Sequence, residues 1–237
     1  MRITELWRYP VKSMGGESLL DVEVDELGLS GDRGWGVFDL ETGLTLTGRR
    51  TPELLMASSR LADGELVITL PDGTEVGDGD HDALSAWLGR DVELRAAGGA
   101  PGRFENPMNV VDETDWIEWD GPDGTFHDSS RSRFTLISTA SLREWDLRRF
   151  RTNVVVDGSG EDELVGTRIG LGGADGVLAD VTKRVDRCVM VTRPQPGLER
   201  DRSVLTTLRD ESDLCLSVGC LVARPGRLAL GADVVVA

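Results

Sequence analysis

The chain has 237 residues and a formal net charge of −16, from 42 acidic and 26 basic side chains. That length allows one large or two small domains with real cores. The acidic surplus argues against nucleic acid or an anionic membrane surface as partner, since both need a cationic footprint. No apolar run approaches the ~20 residues that span a bilayer. The opening Met1-Arg2-Ile3-Thr4-Glu5-Leu6 lacks a secretory stretch, so a cytoplasmic protein is expected.

Most of the sequence predicts short strands separated by turns. The early ones are Ile3–Val11, Leu19–Val24, Gly34–Asp39, Leu44–Thr47, Leu54–Leu61 and Leu66–Leu70. Asp39-Leu40-Glu41-Thr42-Gly43 and Pro71-Asp72-Gly73 supply turn chemistry between them. His81–Leu88 predicts a helix with Leu84, Trp87 and Leu88 on one face and Gly89 as its stop. Ala96–Val110, rich in Gly, Pro and Asn, predicts a long loop or linker. Phe134–Ser138 then predicts a strand entering a helix over Thr139–Arg149. Ser138 and Thr139 are cap candidates there, and Ser141 with Glu144 has the spacing of a capping box. Asn153–Val156, Val177–Val181, Cys188–Val191, Leu214–Ala223 and Leu228–Val236 complete the strands. The expected fold is mainly β with short helices (α+β), barrel-like, in two lobes: residues 1–110 and 111–237, packed around one site.

Lysine occurs twice, as Lys12 and Lys183; every other basic residue is arginine. The three cysteines, Cys188, Cys215 and Cys220, show no CxxC spacing and suit a reducing compartment. Two histidines, His81 and His127, are too few and too far apart for the usual zinc patterns or a Cys–His pair. Any metal would therefore take a single sulfur ligand from the protein.

Five segments carry candidate chemistry. In Tyr9-Pro10-Val11-Lys12-Ser13 the proline ends a strand and throws Lys12 and Ser13 onto a turn that can cradle an anion; a solvated surface lysine is the plainer alternative. Gly31-Asp32-Arg33-Gly34-Trp35 holds Arg33 beside a carboxylate, ready for bidentate contacts or simply paired in a turn. Ser138 and Thr139 stand at a helix start, where free N–H groups bind phosphate or are merely capped. Arg151 and Asn153 precede a buried strand and project into a cleft or decorate a helix end. Cys188 follows Arg187, whose guanidinium favours the thiolate that attacks electrophiles or ligates soft metals; a small buried thiol is the bland reading.

In this order, with Thr47-Gly48-Arg49-Arg50-Thr51-Pro52-Glu53-Leu54 following the GDRGW segment, the chain resembles the MOSC domain family with its N-terminal β-barrel extension. Mitochondrial amidoxime-reducing proteins and the carboxy-terminal domain of molybdenum cofactor sulfurases belong to that family. The resemblance implies a MOSC-type β-barrel plus an N-terminal β-barrel domain. It implies molybdenum-molybdopterin as cofactor, with Cys188 as the metal ligand and catalytic centre. Lys12, Ser13, Arg33, Ser138, Thr139, Arg151 and Asn153 would hold the pterin and its phosphate, with Asp186 and Arg187 contributing beside the ligand. The implied activity is reduction of an N-hydroxylated or N-oxygenated small molecule. Electrons would come from a separate iron–sulfur, haem or flavin protein, since the cysteines for an iron–sulfur cluster are missing here. A sulfur carrier working through a Cys188 persulfide and a non-catalytic cofactor carrier are the alternatives. Leu216-Ser217-Val218-Gly219-Cys220 departs from relatives that carry Val-Tyr in the corresponding strand.

Overall fold

A computed structural model describes residues 1–98, 101–109 and 114–237. The first half supplies β1 (Ile3–Arg8), β2 (Glu17–Leu19), β3 (Asp21–Asp25), β4 (Gly28–Leu29), β5 (Trp35–Asp39), β6 (Ser58–Ala62), β7 (Glu65–Thr69), β8 (Glu75–Val76) and β9 (Val92–Ala96). Helix α1 (His81–Leu88) lies between the last two. A hairpin of β10 (Arg103–Asn109) and β11 (Thr114–Asp120) follows. The second half contributes β12 (Phe134–Ser138), α2 (Thr139–Leu142), β13 (Val154–Val156), β14 (Arg168–Leu171), β15 (Val177–Asp186), α3 (Ser203–Ser212), β16 (Cys215–Arg224), β17 (Gly226–Ala229) and β18 (Val234–Val236). The fold is mainly β with short helices, and no described helix is long and apolar enough to cross a membrane.

One eight-stranded sheet, in the order β18-β14-β15-β16-β12-β13-β1-β2, organises the molecule. Its neighbours are antiparallel except for the parallel pair β12–β13. The first two strands of the chain thus belong to a sheet built mostly from its second half, and β17 likewise pairs with β3. Val154 and Val156 of β13 enter one apolar cluster with Ile3, Leu6, Phe134 and Val218. Val155 points the other way, into a cluster with Ile137, Phe150, Val204 and Leu208. A strand covered on both faces needs no polar alternation, hence the unbroken Val-Val-Val. Val11, Met14, Val37, Leu54, Ile68 and Leu84 form a further core in the first half.

Helix α1 ends as its sequence dictates: Gly89 takes φ 66 and donates its N–H to the Ser85 carbonyl. The turn after β5 is held by Asp39, whose Oδ1 accepts from the N–H groups of Glu41 and Thr42.

Several expected elements differ. Leu44–Thr47 is an extended connection with an isolated bridge from Thr45 to Phe38. Leu54–Leu61 opens as a 3-10 turn, Pro52–Met56, before β6 begins. The expected loop Ala96–Val110 contains β10; residues 99, 100 and 110 lie outside the described ones. The helix expected over Thr139–Arg149 stops after one turn, because Arg143 takes φ 56; a short 3-10 turn at Leu147–Arg149 follows. The cap is Ser138, whose Oγ accepts from Ser141 N–H at 3.2 Å, so the Ser141–Glu144 box does not form the start. Leu228–Val236 divides into β17 and β18. Cys188–Val191 is not a strand: Cys188 is extended and Val189–Thr192 forms a 3-10 turn that buries Val189 and Val191. Apolar β-branched residues satisfy burial in either form, and tertiary packing decides between them.

Candidate functional site

The segment Tyr9–Ser13 runs alongside Arg33–Trp35. Lys12 N–H donates to the Trp35 carbonyl and Arg33 N–H to the Tyr9 carbonyl. Asp32 fixes the junction with a fully buried carboxylate that accepts from Tyr9 N–H at 2.8 Å and pairs with Arg33. Ser13, Arg33 and Arg151 all hold left-handed backbone, at φ 69, 50 and 53. Side chains other than glycine keep that conformation only where their surroundings over-determine it, which is common at functional sites.

These segments enclose a cavity of about 370 Å³. Lys12, Ser13, Arg33, Arg151, Asp186, Arg187 and Cys188 all line it, so seven residues singled out in the sequence converge on one space. Lys12 Nζ donates to the Phe126 carbonyl at 2.8 Å and to Asp128 Oδ1 at 2.7 Å, and lies 4.0 Å from the centre of the Phe104 ring. Arg33 and Arg151 both place their guanidinium groups against the Tyr9 ring, at 4.7 and 4.6 Å. Arg187 is braced from behind: it donates to the carbonyls of Leu216 and Phe150 and to Ser217 Oγ. Asp186 is exposed at the mouth and pairs with Lys183 at 2.7 Å.

Ser138, Thr139 and Asn153 lie elsewhere. Ser138 is spent on the α2 cap and Thr139 is exposed; the residues after them, Ala140 and Ser141, line a different cavity. Asn153 is fully buried as a latch between strands, accepting from Thr135 N–H and donating to the Trp7 carbonyl. Besides Ser13, the hydroxyl residues that line the Cys188 cavity are Thr47, Ser129, Ser132 and Thr135. Gly219 on β16 makes room for one of them, since a Cβ there would come within 3.0 Å of the Ser132 side chain.

Two charged residues missed in the sequence complete the site. Arg49 donates from Nε to Cys188 Sγ at 3.4 Å, and its Nη2 meets Asp128 Oδ2 at 3.3 Å. Asp128 thereby joins Lys12 to Arg49. Its side chain is 52% accessible because it faces the cavity, while protein surrounds it more widely. Burial alone would raise its pKa, but Lys12 and Arg49 overcome this and hold it well below the carboxylate range. Burial brings Lys12 down to about 8, against the pull of Asp128. Arg151 and Arg187 each fall to about 10, chiefly through burial. His127, also on the cavity wall, is pushed down to about 3 by burial and by Arg33, so it is neutral.

The donor set suits a multiply charged anion that also binds sulfur. Nη1 of Arg151 is buried without a hydrogen-bond acceptor, and the hydroxyl of Thr47 is buried without a partner. A buried donor without a partner is costly, and an anionic guest would satisfy it. Cys188 lies on the wall of the same space, beside the Arg49 N–H. Among the described residues, no three His, Cys, Asp or Glu side chains converge to hold a bare metal ion. The cationic wall beside a single thiol fits an anionic guest better than a free cation.

Residues 1–87 match the description "MOSC N-terminal beta barrel domain" and residues 121–235 match "MOSC domain". A stretch of 73 residues is 41% identical to mitochondrial amidoxime reducing component 2 from Bos taurus, covering 29% of this chain and 21% of that protein. The match thus spans about a fifth of the relative's length. The solved YUAD protein from Bacillus subtilis is similar across 98% of this chain and 93% of its own, with 14% identity and a TM-score of 0.45. YiiM from Geobacillus stearothermophilus aligns over 58% of this chain and 73% of its own, with 14% identity and a TM-score of 0.35.

Proposed function

The chain belongs to the MOSC family, joining a MOSC N-terminal β-barrel domain to a MOSC domain, and on that premise we propose that it binds molybdenum cofactor in the Cys188 cavity. Cys188 is the metal ligand in this reading. The activity is reduction of an N-hydroxylated or N-oxygenated small molecule, with electrons from a separate iron–sulfur, haem or flavin protein. When bound, the cofactor supplies the two-electron chemistry. The observation that carries the reading is the meeting of Cys188 with Lys12, Arg33, Arg49 and Arg151 around one cavity of an otherwise acidic chain.

The chain's own residues bind and orient. Lys12, Arg33 and Arg151 offset the guest's negative charge, and Arg151 gains the acceptor that its Nη1 lacks. Arg49 holds a charge-assisted hydrogen bond to the ligand sulfur, the kind of outer contact that tunes a bound metal. Arg187 stiffens the Cys188 turn through its bonds to Leu216, Phe150 and Ser217. Trp119, Phe126 and Met190 add apolar wall for the substrate. The three free cysteines support a reducing compartment, and we place the protein in the cytoplasm.

The test is turnover. Protein made in a host that synthesises the cofactor should oxidise a reduced viologen dye when given a hydroxylamine or amidoxime, and Cys188→Ser should lose that activity while remaining folded. Bound cofactor without turnover would make the protein a carrier. Sulfane sulfur on Cys188 without metal would make it a sulfur transferase.

A further inference from the structure

A second cavity, of about 240 Å³, lies where the 3-10 turn Glu161–Leu164 meets α2, α3 and the start of β16. Glu161 lines it and is 1% exposed, yet neither of its carboxylate oxygens has a hydrogen-bond partner. A buried carboxyl group without a hydrogen-bond partner is disfavoured, and a cationic guest would relieve it. The cations nearby have other contacts: Arg143 pairs with Glu211 and faces the Trp145 ring, while Arg184 pairs with Asp162 at 3.1 Å and donates from Nη2 to the Ser212 carbonyl, its Nε having no hydrogen-bond partner.

We propose that this cavity binds a small organic cation. Its ammonium or amidinium head meets Glu161, and its apolar body lies against Trp145, Leu208 and Leu216. The volume corresponds to about eight waters at ~30 Å³ each, more than a bare ion needs. Ser141, Asp162, Ser212 and Ser217 also line the space, and the ring of Trp145 and the two leucines offer a carbon skeleton contacts that a hydrated metal ion does not use. Leu216 and Ser217 line this cavity and also brace Arg187 beside Cys188, so the two cavities share a partition. The site does not depend on what occupies the Cys188 cavity.

Calorimetric titration of the full chain with benzamidinium and n-butylammonium tests this, with neutral benzamide and Mg²⁺ in parallel. At least one organic cation should bind and raise the melting temperature, whereas benzamide and Mg²⁺ should do neither. Glu161→Gln should weaken the cation by about tenfold or more, the scale of losing a charge-assisted contact. Binding of neither cation, equal binding of benzamide, a Mg²⁺ isotherm in their place, or full affinity in Glu161→Gln would each overturn the proposal. If that variant does not fold, the contrast between benzamidinium and benzamide on the native chain decides. Molybdenum content reports separately on the Cys188 cavity.

Discussion

Arg49 and Asp128 matter as much to the cavity as the residues around Cys188: Asp128 joins Lys12 to Arg49, and Arg49 reaches the sulfur. Arg49 stands in Thr47-Gly48-Arg49-Arg50, where two adjacent arginines look interchangeable. They face opposite ways: Arg50 lies over the Trp116 ring and pairs with Glu105 in the open, while Arg49 turns inward to Cys188 and Asp128. Nothing local distinguishes them. Asp128 sits in a segment with no strand or helix period, and a lone aspartate there resembles any loop aspartate. Lys12, by contrast, was legible, because a proline-terminated strand and sparse lysine use both marked it. Its lowered pKa gives a pH prediction. Burial holds it near 8, whereas in the unfolded chain it stays charged to about 10.4. Between those values the folded protein binds fewer protons, so the stability contribution of Lys12 rises with pH while the positive charge in the cavity falls. Sulfate, whose own charge is constant, should bind the cofactor-free protein several-fold more weakly at pH 9 than at pH 7. A flat profile across that range would show that Lys12 does not act on the cavity.

The second half was legible where an element is buried on both sides. Asn153–Val156 and Phe134–Ser138 were found as strands because continuous apolar runs admit few alternatives. The same rule misled at Cys188, where a run of Val-Met-Val satisfies burial as a 3-10 turn and carries the thiol to the cavity wall. It failed again at β10 and β11, a hairpin whose Pro, Asn and Asp content hides its pairing. Ser138 shows how a cap and a phosphate site share one signature in sequence and part company in structure. Ser138→Ala should cost about 1 kcal/mol of stability through the lost cap. Sulfate affinity should not change, since the side chain does not face the Cys188 cavity. Urea unfolding and sulfate titration of the same variant measure both. Lost affinity at unchanged stability would return Ser138 to the site.

Across the whole molecule, an acidic chain gathers a cationic pocket, and the fold does so by interleaving its two ends. β1 pairs with β13, β3 pairs with β17, and the Lys12 turn follows directly from β1. No local sequence signal reports such pairings, because they join residues more than a hundred positions apart. A fragment of residues 111–237 would leave β13 and β17 without these partners, exposing apolar edges. It should show no cooperative unfolding transition in circular dichroism; a sharp transition would mean the sheet closes without β1–β4. Molybdenum analysis of the full chain, purified from a cofactor-producing host, should find about one metal per chain, as one thiolate ligand would hold, and almost none in a folded Cys188→Ser variant. Equal molybdenum in the two proteins, or none in the native one, would contradict the account.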